Sequence, residues 1–149
     1  MSSALPVKRL LIPLGLLACC GPARAVDPAA LTPAKNWVAP LFTKQNFRSM
    51  TLRGSEARAT TSGAVNVVDL NLTVFSGDAS NRVETVLLSR AATFQPKENL
   101  AHGDQGVRVI RDDLEAFGTH WTYDHAQKKV SLQGGVRIVF NAEFKDLLK

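Results

Sequence analysis

The sequence predicts an all-β protein, an open antiparallel β-jelly roll or sandwich built from repeated hairpins. Apolar residues between Leu52 and Phe140 mostly alternate with polar ones, as in strands with one buried face, and helical periodicity is almost absent. A second observation is a pattern that occurs three times. A small residue is followed three and five positions later by short or aromatic residues, and thirteen positions after that by an apolar alternation. The copies begin at Gly54, Ser89 and Gly118, and such repetition indicates stacked copies of one unit.

The first 25 residues are predicted to be a cleavable signal peptide and not part of the fold. Lys8 and Arg9 form its positive region, residues 10–18 its apolar region, and Ala23 and Ala25 its small-residue cleavage site. The apolar run is far shorter than the roughly 20 residues that cross a membrane as a helix. The mature chain is therefore expected to work in the periplasm.

An alternative start of the mature chain keeps a cysteine. Residues 16–19 resemble a bacterial lipobox, and cleavage there would leave Cys19 lipidated and tethered to a membrane. The soluble form is preferred, because the bulky Leu17 precedes the small residue of the lipobox and a good cleavage site follows. Cys19 and Cys20 are the two cysteines of the sequence, so a chain cut after Ala25 has no disulfide and no thiol nucleophile.

The mature chain is long enough for one domain. Residues 26–39 contain Pro28, Pro33 and several alanines, and they are predicted to be a spacer. A single jelly-roll domain is expected at residues 40–149.

Each copy of the pattern is expected to form one hairpin. In the last copy an alternation ends at Tyr123, the polar segment 124–129 turns the chain, and a second alternation starts at Val130. Gly134 and Gly135 interrupt this second alternation. A β-bulge there would direct the apolar residues on both sides of it into one core.

Charge gives little support for binding to nucleic acid. The chain has 18 Lys and Arg residues against 13 Asp and Glu residues, and three of the basic ones lie in the expected signal peptide. The mature balance is 15 against 13, or +2, and no basic run with interleaved aromatic residues is present. Nucleic acid is therefore not an expected partner.

Complete catalytic or metal-binding patterns are absent from the sequence. His120 or His125 with Asp124, or the pair Asp112 and Asp113, provide side chains suited to a small hydrolase, but exposed turn residues explain both groups better. There is neither a glycine-rich phosphate loop nor a serine nucleophile elbow. We therefore expect a protein that is not an enzyme and uses no cofactor or metal.

The third copy of the pattern resembles a known family. Residues 118–124, GTHWTYD, and residues 128–138, KKVSLQGGVRI, are similar to the repeat of the periplasmic lipopolysaccharide-transport proteins LptA and LptC, the OstA-like family. The first two copies are looser, with alanine or phenylalanine where the family commonly has tyrosine. The similarity covers residues 40–140.

The resemblance implies a role in lipopolysaccharide export. Members of the family are open, twisted jelly rolls that stack end to end, and their apolar groove shields lipid acyl chains. The implied partners are lipopolysaccharide or a related lipid, other jelly-roll proteins of the pathway, and the inner-membrane ABC transporter complex that supplies the energy. Carried onto this chain, the groove is lined by Leu70, Leu72, Val74, Val107, Val109, Trp121, Val136 and Ile138.

Two questions stay open at the level of the sequence. LptC members keep an N-terminal transmembrane helix and LptA members are usually longer, so the chain is nearer LptC in size but starts like LptA. The eight groove residues would also form the core of any packed β-sandwich. The second hypothesis is therefore a structural or adaptor domain of the cell envelope, soluble or lipid-anchored, without lipid cargo.

Overall fold

The computed structural model describes residues 32–141, and all regular structure in this range is β-strand. The expected signal peptide, Cys19 and the residues from 142 onward lie outside this range. The strands are β1 (Ala34–Phe42), β2 (Arg48–Ala59), β3 (Val65–Phe75), β4 (Val83–Gln95), β5 (Leu100–Gly103), β6 (Val107–Ile110), β7 (Leu114–Asp124) and β8 (Lys129–Phe140). All their pairings are antiparallel, so the predicted all-β antiparallel class is confirmed.

The strands form a meander of seven positions, which we call lanes. From β1 to β4 each strand pairs with the next, and β7 pairs with β8. The short strands β5 and β6 each pair with both β4 and β7, so these four strands form a closed ring of pairings. One edge of β4 is occupied by β3, and one edge of β7 is occupied by β8. Both short strands must therefore lie between β4 and β7, where β5 and β6 follow each other end to end in one lane. The described strands thus follow one another in up-and-down order, with β1 and β8 outermost.

Strand β1 lies partly within the expected spacer. It pairs with β2 from Ala34 onward, so residues 34–39 belong to the sheet. Trp37 and Leu41 of β1 pack against the buried core, and these apolar contacts hold the segment to β2. Pro40 is tolerated because an outermost strand needs its main-chain donors on one side only.

A line of backbone irregularities crosses the sheet halfway along the strands. β1, β3, β7 and β8 each contain a residue with positive φ, and the lane of β5 and β6 is interrupted. The strand registers place all these irregularities side by side. We call this line the crease. Its residues are Asn36, Ser55, Asp69, Arg90, 104–106, His120, Gly134 and Gly135.

The crease explains the threefold pattern in the sequence. Side chains alternate between the two faces of a strand at period two, but the pattern steps by three residues, as from Gly118 to Trp121. The extra residue lies at the crease and returns the second half of the strand to the same face, so Gly118, Trp121 and Tyr123 are all buried. The same step separates the buried pairs Gly54 and Ala57 on β2, and Ser89 and Ala92 on β4.

The bulge expected at Gly134 and Gly135 is confirmed. The register between β7 and β8 shifts between Phe117 and Thr119, opposite Gly134, and Gly135 has a φ of 54°. A side chain on Gly134 would also clash with the Thr119 hydroxyl. Glycine is therefore required here both for the conformation and for the close approach of β7.

The sheet is folded over so that its two ends meet. Lys128, in the turn between β7 and β8, donates hydrogen bonds from Nζ to Glu84 Oε2 at 2.7 Å and to the carbonyl oxygen of Phe75 at 3.3 Å. According to the strand registers, Asp124 at the end of β7 lies at the level of Gln95 on β4. Glu84 lies at a second level, eleven residues earlier on β4. In a flat sheet these two levels would be about 36 Å apart. The half of the sheet with the β7–β8 turn therefore lies across the half with the β3–β4 turn.

The inner faces of the two halves enclose a single core. Its largest fully buried side chains come from β2, β3, β4 and β7: Met50, Leu52, Val67, Leu72, Val74, Leu87, Trp121 and Tyr123. The core therefore draws on both sides of the crease.

Candidate functional site

Six of the eight residues predicted to line a lipid groove are packed in this core. They are at most 4% exposed: Leu70, Leu72, Val74, Val107, Val109 and Trp121. Side chains buried to this degree contact one another closely, as in any protein interior. Along these six residues the inner face is closed in this conformation.

The other two predicted residues, Val136 and Ile138, are each 49% exposed. Ile138 belongs to a row of directly paired inner-face residues that runs from β3 to β8: Leu72, Leu87, Val109, Ala116 and Ile138. Along this row the exposed fraction is 0%, 0%, 4%, 6% and 49%. The inner face is therefore closed in its middle lanes and open at β8.

Strand β8 forms one margin of the sheet. Within residues 32–141 it pairs with β7 alone. Val136, Ile138 and Val139 on this strand are exposed apolar residues. An exposed outer strand with apolar side chains is a typical place for the addition of a strand from another protein.

A cavity of about 870 Å³ lies along the crease, from Asp69 on β3 to Gly135 on β8. Its walls include Leu88, Arg108 and Phe117, which are directly paired neighbours on β4, β6 and β7. The residues adjacent to them in the chain are buried in the core. Because successive side chains of a strand point to opposite faces, the cavity lies on the outer face of the sheet.

A polar cluster lies at the end where the two halves meet. The hydroxyl of Tyr123 lies 2.9 Å from Nδ1 of His125. Burial raises the pKa of Tyr123, and the nearby carboxylates of Glu84 and Asp124 raise it further. Burial also lowers the pKa of His125, Lys128 lowers it further, and Asp124 opposes the shift. At neutral pH the pair is therefore uncharged, with the tyrosine as donor and the histidine as acceptor.

Of the residues considered for a hydrolase, His120 lies apart, whereas Asp112 and Asp113 share a cavity with Tyr123, the partner of His125. His125 bonds to Tyr123, whereas His120 lies at the crease, with Nδ1 3.2 Å from the Thr119 hydroxyl. Asp112 and Asp113 follow β6 and line a second cavity of about 340 Å³. In the part of the chain that the structure describes, no group of three or more His, Cys, Asp or Glu residues could hold a metal ion.

The described segment also contains no helix long and apolar enough to cross a membrane.

Sequence reasoning does not find the cavity at the crease. Leu88 and Phe117 are apolar residues at positions of β4 and β7 where the alternation calls for polar ones, since their buried neighbours Leu87 and Ala116 take the apolar phase. These two apolar residues at outward-facing positions are the feature of the sequence that could have indicated the cavity.

Comparison with known proteins adds no relative to this description. No protein-family model matches the sequence, and no curated protein is significantly similar to it. The function is therefore argued from the residues and their geometry.

Proposed function

We propose that the protein is a non-enzymatic periplasmic component of lipopolysaccharide export. It shields lipid acyl chains at the open margin of its inner face and joins partner jelly-roll proteins by pairing strand edges. The energy for transport comes from an inner-membrane ABC transporter.

The observation that carries this proposal is the opening of the inner face at β8. The row from Leu72 to Ile138 is continuous, so an acyl chain on Val136 and Ile138 extends the existing core. Ala116 and Gly118 on β7, beside them, have little or no side chain. Burial of apolar surface there stabilises the bound lipid by about 25 cal/mol per Å².

The two outermost strands support the bridging role. In the described range β1 pairs with β2 alone and β8 with β7 alone. An antiparallel sheet with two such margins can be extended at either side by main-chain hydrogen bonds. Because β8 carries both the open apolar surface and a sheet edge, lipid and partner would meet at one margin.

A structural or adaptor domain of the envelope is the second candidate. It is favoured by the close packing of the six buried residues, since a protein with only a structural role needs a packed core and no groove. The two candidates differ at Ile138, which the first uses for lipid and the second leaves as surface.

Photo-cross-linking tests the lipid role directly. A photoreactive residue in place of Ile138 is expected to give saturable cross-linking to lipopolysaccharide. The matched control is Val139, the next residue of β8, which is also exposed and apolar but points to the opposite face. Equal cross-linking at both positions would remove the argument for a lipid site on the inner face.

Charge substitutions along the same inner row separate the two candidates. Val109→Asp places a carboxylate in the closed part of the row and is expected to cost more than about 3 kcal/mol of unfolding free energy. Ile138→Asp is expected to leave urea unfolding nearly unchanged but to lower retention of lipopolysaccharide at least fivefold. Full retention by a folded Ile138→Asp variant would favour the structural domain.

A further inference from the structure

We propose that the cavity at the crease binds a single-chain amphiphile with an anionic head, a carboxylate or a phosphate. The site lies on the outer face of the sheet, away from Val136 and Ile138, and two core residues that were predicted to line the groove, Leu70 and Val107, also belong to its lining. It does not depend on the proposed function.

The cavity is an elongated, largely open depression, and its length suits an elongated small molecule. Its volume of about 870 Å³ falls within the usual range for ligand sites. It extends across five lanes, from Asp69 on β3 to Gly135 on β8. At about 4.8 Å between neighbouring strands, this width is about 19 Å. An extended chain can therefore lie across the strands, along the crease.

The cavity has an apolar floor. Leu88 and Phe117 are half-buried there, and the exposed Gly106 presents main chain in place of a side chain. The ring of Phe117 lies between two guanidinium groups, with its centroid 5.8 Å from Cζ of Arg108 and 5.9 Å from Cζ of Arg137. These cation–π contacts hold the ring in place on the outer face, and the ring forms part of the cavity wall.

Within the described part of the chain, Arg90 is the basic residue of the cavity wall without an ion-pair partner, and Asp69 lies beside it on the neighbouring strand β3. Arg90 is exposed on the cavity wall and forms no ion pair with any residue from 32 to 141. Arg108, also on the wall, is paired with Glu115. The one acid on the wall, Asp69, accepts a hydrogen bond from the Ser55 hydroxyl at 2.8 Å. An anionic head bound at Arg90 gains the pairing that the protein itself does not provide.

Two of the residues with positive φ lie at the two ends of the cavity. Asp69 has a φ of 52° and Gly135 a φ of 54°, although both lie within strands. The conformation has little cost for a glycine, whereas for a non-glycine residue such as Asp69 it is less favourable and of the kind that clusters at functional sites. Here the two residues border the transverse depression in which the chain would lie.

Calorimetric titration of the purified protein tests the site. The probes are dodecanoate, dodecyl phosphate, dodecyltrimethylammonium and inorganic phosphate, each below its critical micelle concentration. We expect one saturable site for dodecanoate, dodecyl phosphate or both, and at least tenfold weaker binding of the other two probes. The ratio of the first two affinities identifies the preferred head. Equal binding of dodecyltrimethylammonium, or of inorganic phosphate, would overturn the proposal, because the charge or the apolar floor would then contribute nothing.

Variants assign the binding to the crease. Arg90→Glu is expected to lower the affinity for the anionic amphiphiles at least tenfold. Lys44→Glu, in the exposed turn between β1 and β2, makes the same change of charge and should leave binding unchanged. Phe117→Ala should also lower the affinity for the amphiphiles. If Arg90→Glu keeps both its unfolding midpoint and full affinity, the site is not at the crease, whatever happens to the fold of Phe117→Ala.

The two proposals can fail separately. Ile138→Asp should leave dodecanoate binding intact, because Ile138 faces away from the crease cavity. Arg90→Glu should likewise leave lipopolysaccharide cross-linking at Ile138 unchanged. Loss of dodecanoate binding in a folded Ile138→Asp variant would place the amphiphile on the inner face and contradict the proposal for the crease.

Discussion

Trp121 fills the interior against Gly103, the residue paired with it on β5. A Cβ atom on Gly103 would lie 2.8 Å from Trp121 Nε1 and 2.8 Å from the carbonyl oxygen of Ala91. Trp121 is 1% exposed, and its Nε1 has no hydrogen-bond partner among the described atoms. The tryptophan therefore has little room to move, and the glycine is needed for its placement.

Gly103→Ala is expected to lower the unfolding free energy by about 1–3 kcal/mol, because the indole and the backbone of β4 must both shift. Gly106→Ala is the matched control, since nothing lies within 4 Å of its Cβ position. Both variants restrict the unfolded chain to a similar extent. Urea unfolding measures the difference, and equal values for the two variants would contradict the close packing of Trp121.

His125 makes stability depend on pH. Its pKa in the folded protein is lowered from the ordinary value of 6.5, chiefly by burial, so the unfolded chain binds more protons below that pH. The contribution of His125 to the unfolding free energy is therefore fully present above about pH 6.5. It decreases as the pH drops through this value and stops changing below the pKa of the folded protein. Protonation would also remove the acceptor for the Tyr123 hydroxyl.

His125→Gln should flatten the dependence of the unfolding midpoint on pH between about pH 8 and pH 5.5, above the range in which most carboxylates titrate. His120→Gln is the control, because His120 is an exposed residue at the crease, and it should keep the original profile. Thermal unfolding across this range measures the effect. Identical profiles for the two variants would show that burial of His125 is not the cause.

At the scale of the elements, the crease allows long strands to bend without losing their inward face. β8 crosses it at Gly135, which has positive φ and nothing within 4 Å of its Cβ position. The requirement there is conformational and not steric. Strands β1, β3 and β7 meet the same requirement with Asn36, Asp69 and His120, residue types that adopt positive φ more readily than most.

Gly135→Ala is expected to lower the unfolding free energy by about 1 kcal/mol, since alanine disfavours positive φ and its restriction of the unfolded chain offsets only part of the cost. Gly135→Asn should cost less, because asparagine tolerates this conformation. Chemical unfolding of the two variants gives the comparison. Asparagine proving as costly as alanine would indicate a steric cause instead.

At the scale of the whole molecule, Lys128 holds the two halves of the sheet together. Besides Glu84 and the Phe75 carbonyl, it reaches the carbonyl oxygen of Ser76 at 3.5 Å. All three partners lie at the β3–β4 end, and Lys128 lies at the β7–β8 end. The Tyr123–His125 pair lies close to Glu84 as well. Polar contacts between the two halves are therefore grouped at this end of the core.

Lys128→Met keeps the side-chain stem but removes the charge, and about 1 kcal/mol of stability should be lost after allowance for solvent screening. The more specific readout is amide exchange of Ser76, whose N–H donates to the Arg82 carbonyl across the β3–β4 turn. Its exchange should accelerate in Lys128→Met but not in Lys129→Met, the exposed neighbour. Equal rates would mean that the two halves stay together without this contact.

Most local features of the fold follow from the sequence alone, and the start of β1 is an exception. The alternation from Leu52 to Phe140 determines the strands, and the turn residues between them determine the hairpins. The bulge at Gly134 and Gly135 was also predictable, because two glycines interrupt the apolar phase of one strand. The start of β1 was not, since Pro28, Pro33 and the alanines conceal a strand whose stability comes from packing against β2.

Only the tertiary structure decides which inward-facing residues are enclosed. Val109 and Ile138 lie in equivalent alternations and in the same row, yet one is 4% and the other 49% exposed. The alternation specifies the face of a strand, whereas enclosure depends on the neighbouring lanes and on the opposite half of the sheet. The contact of Lys128 with Glu84, 44 residues apart in sequence, and the cavity at the crease likewise arise only when the sheet is folded over. Period-two patterning is a local property, but burial is set by what lies across the core.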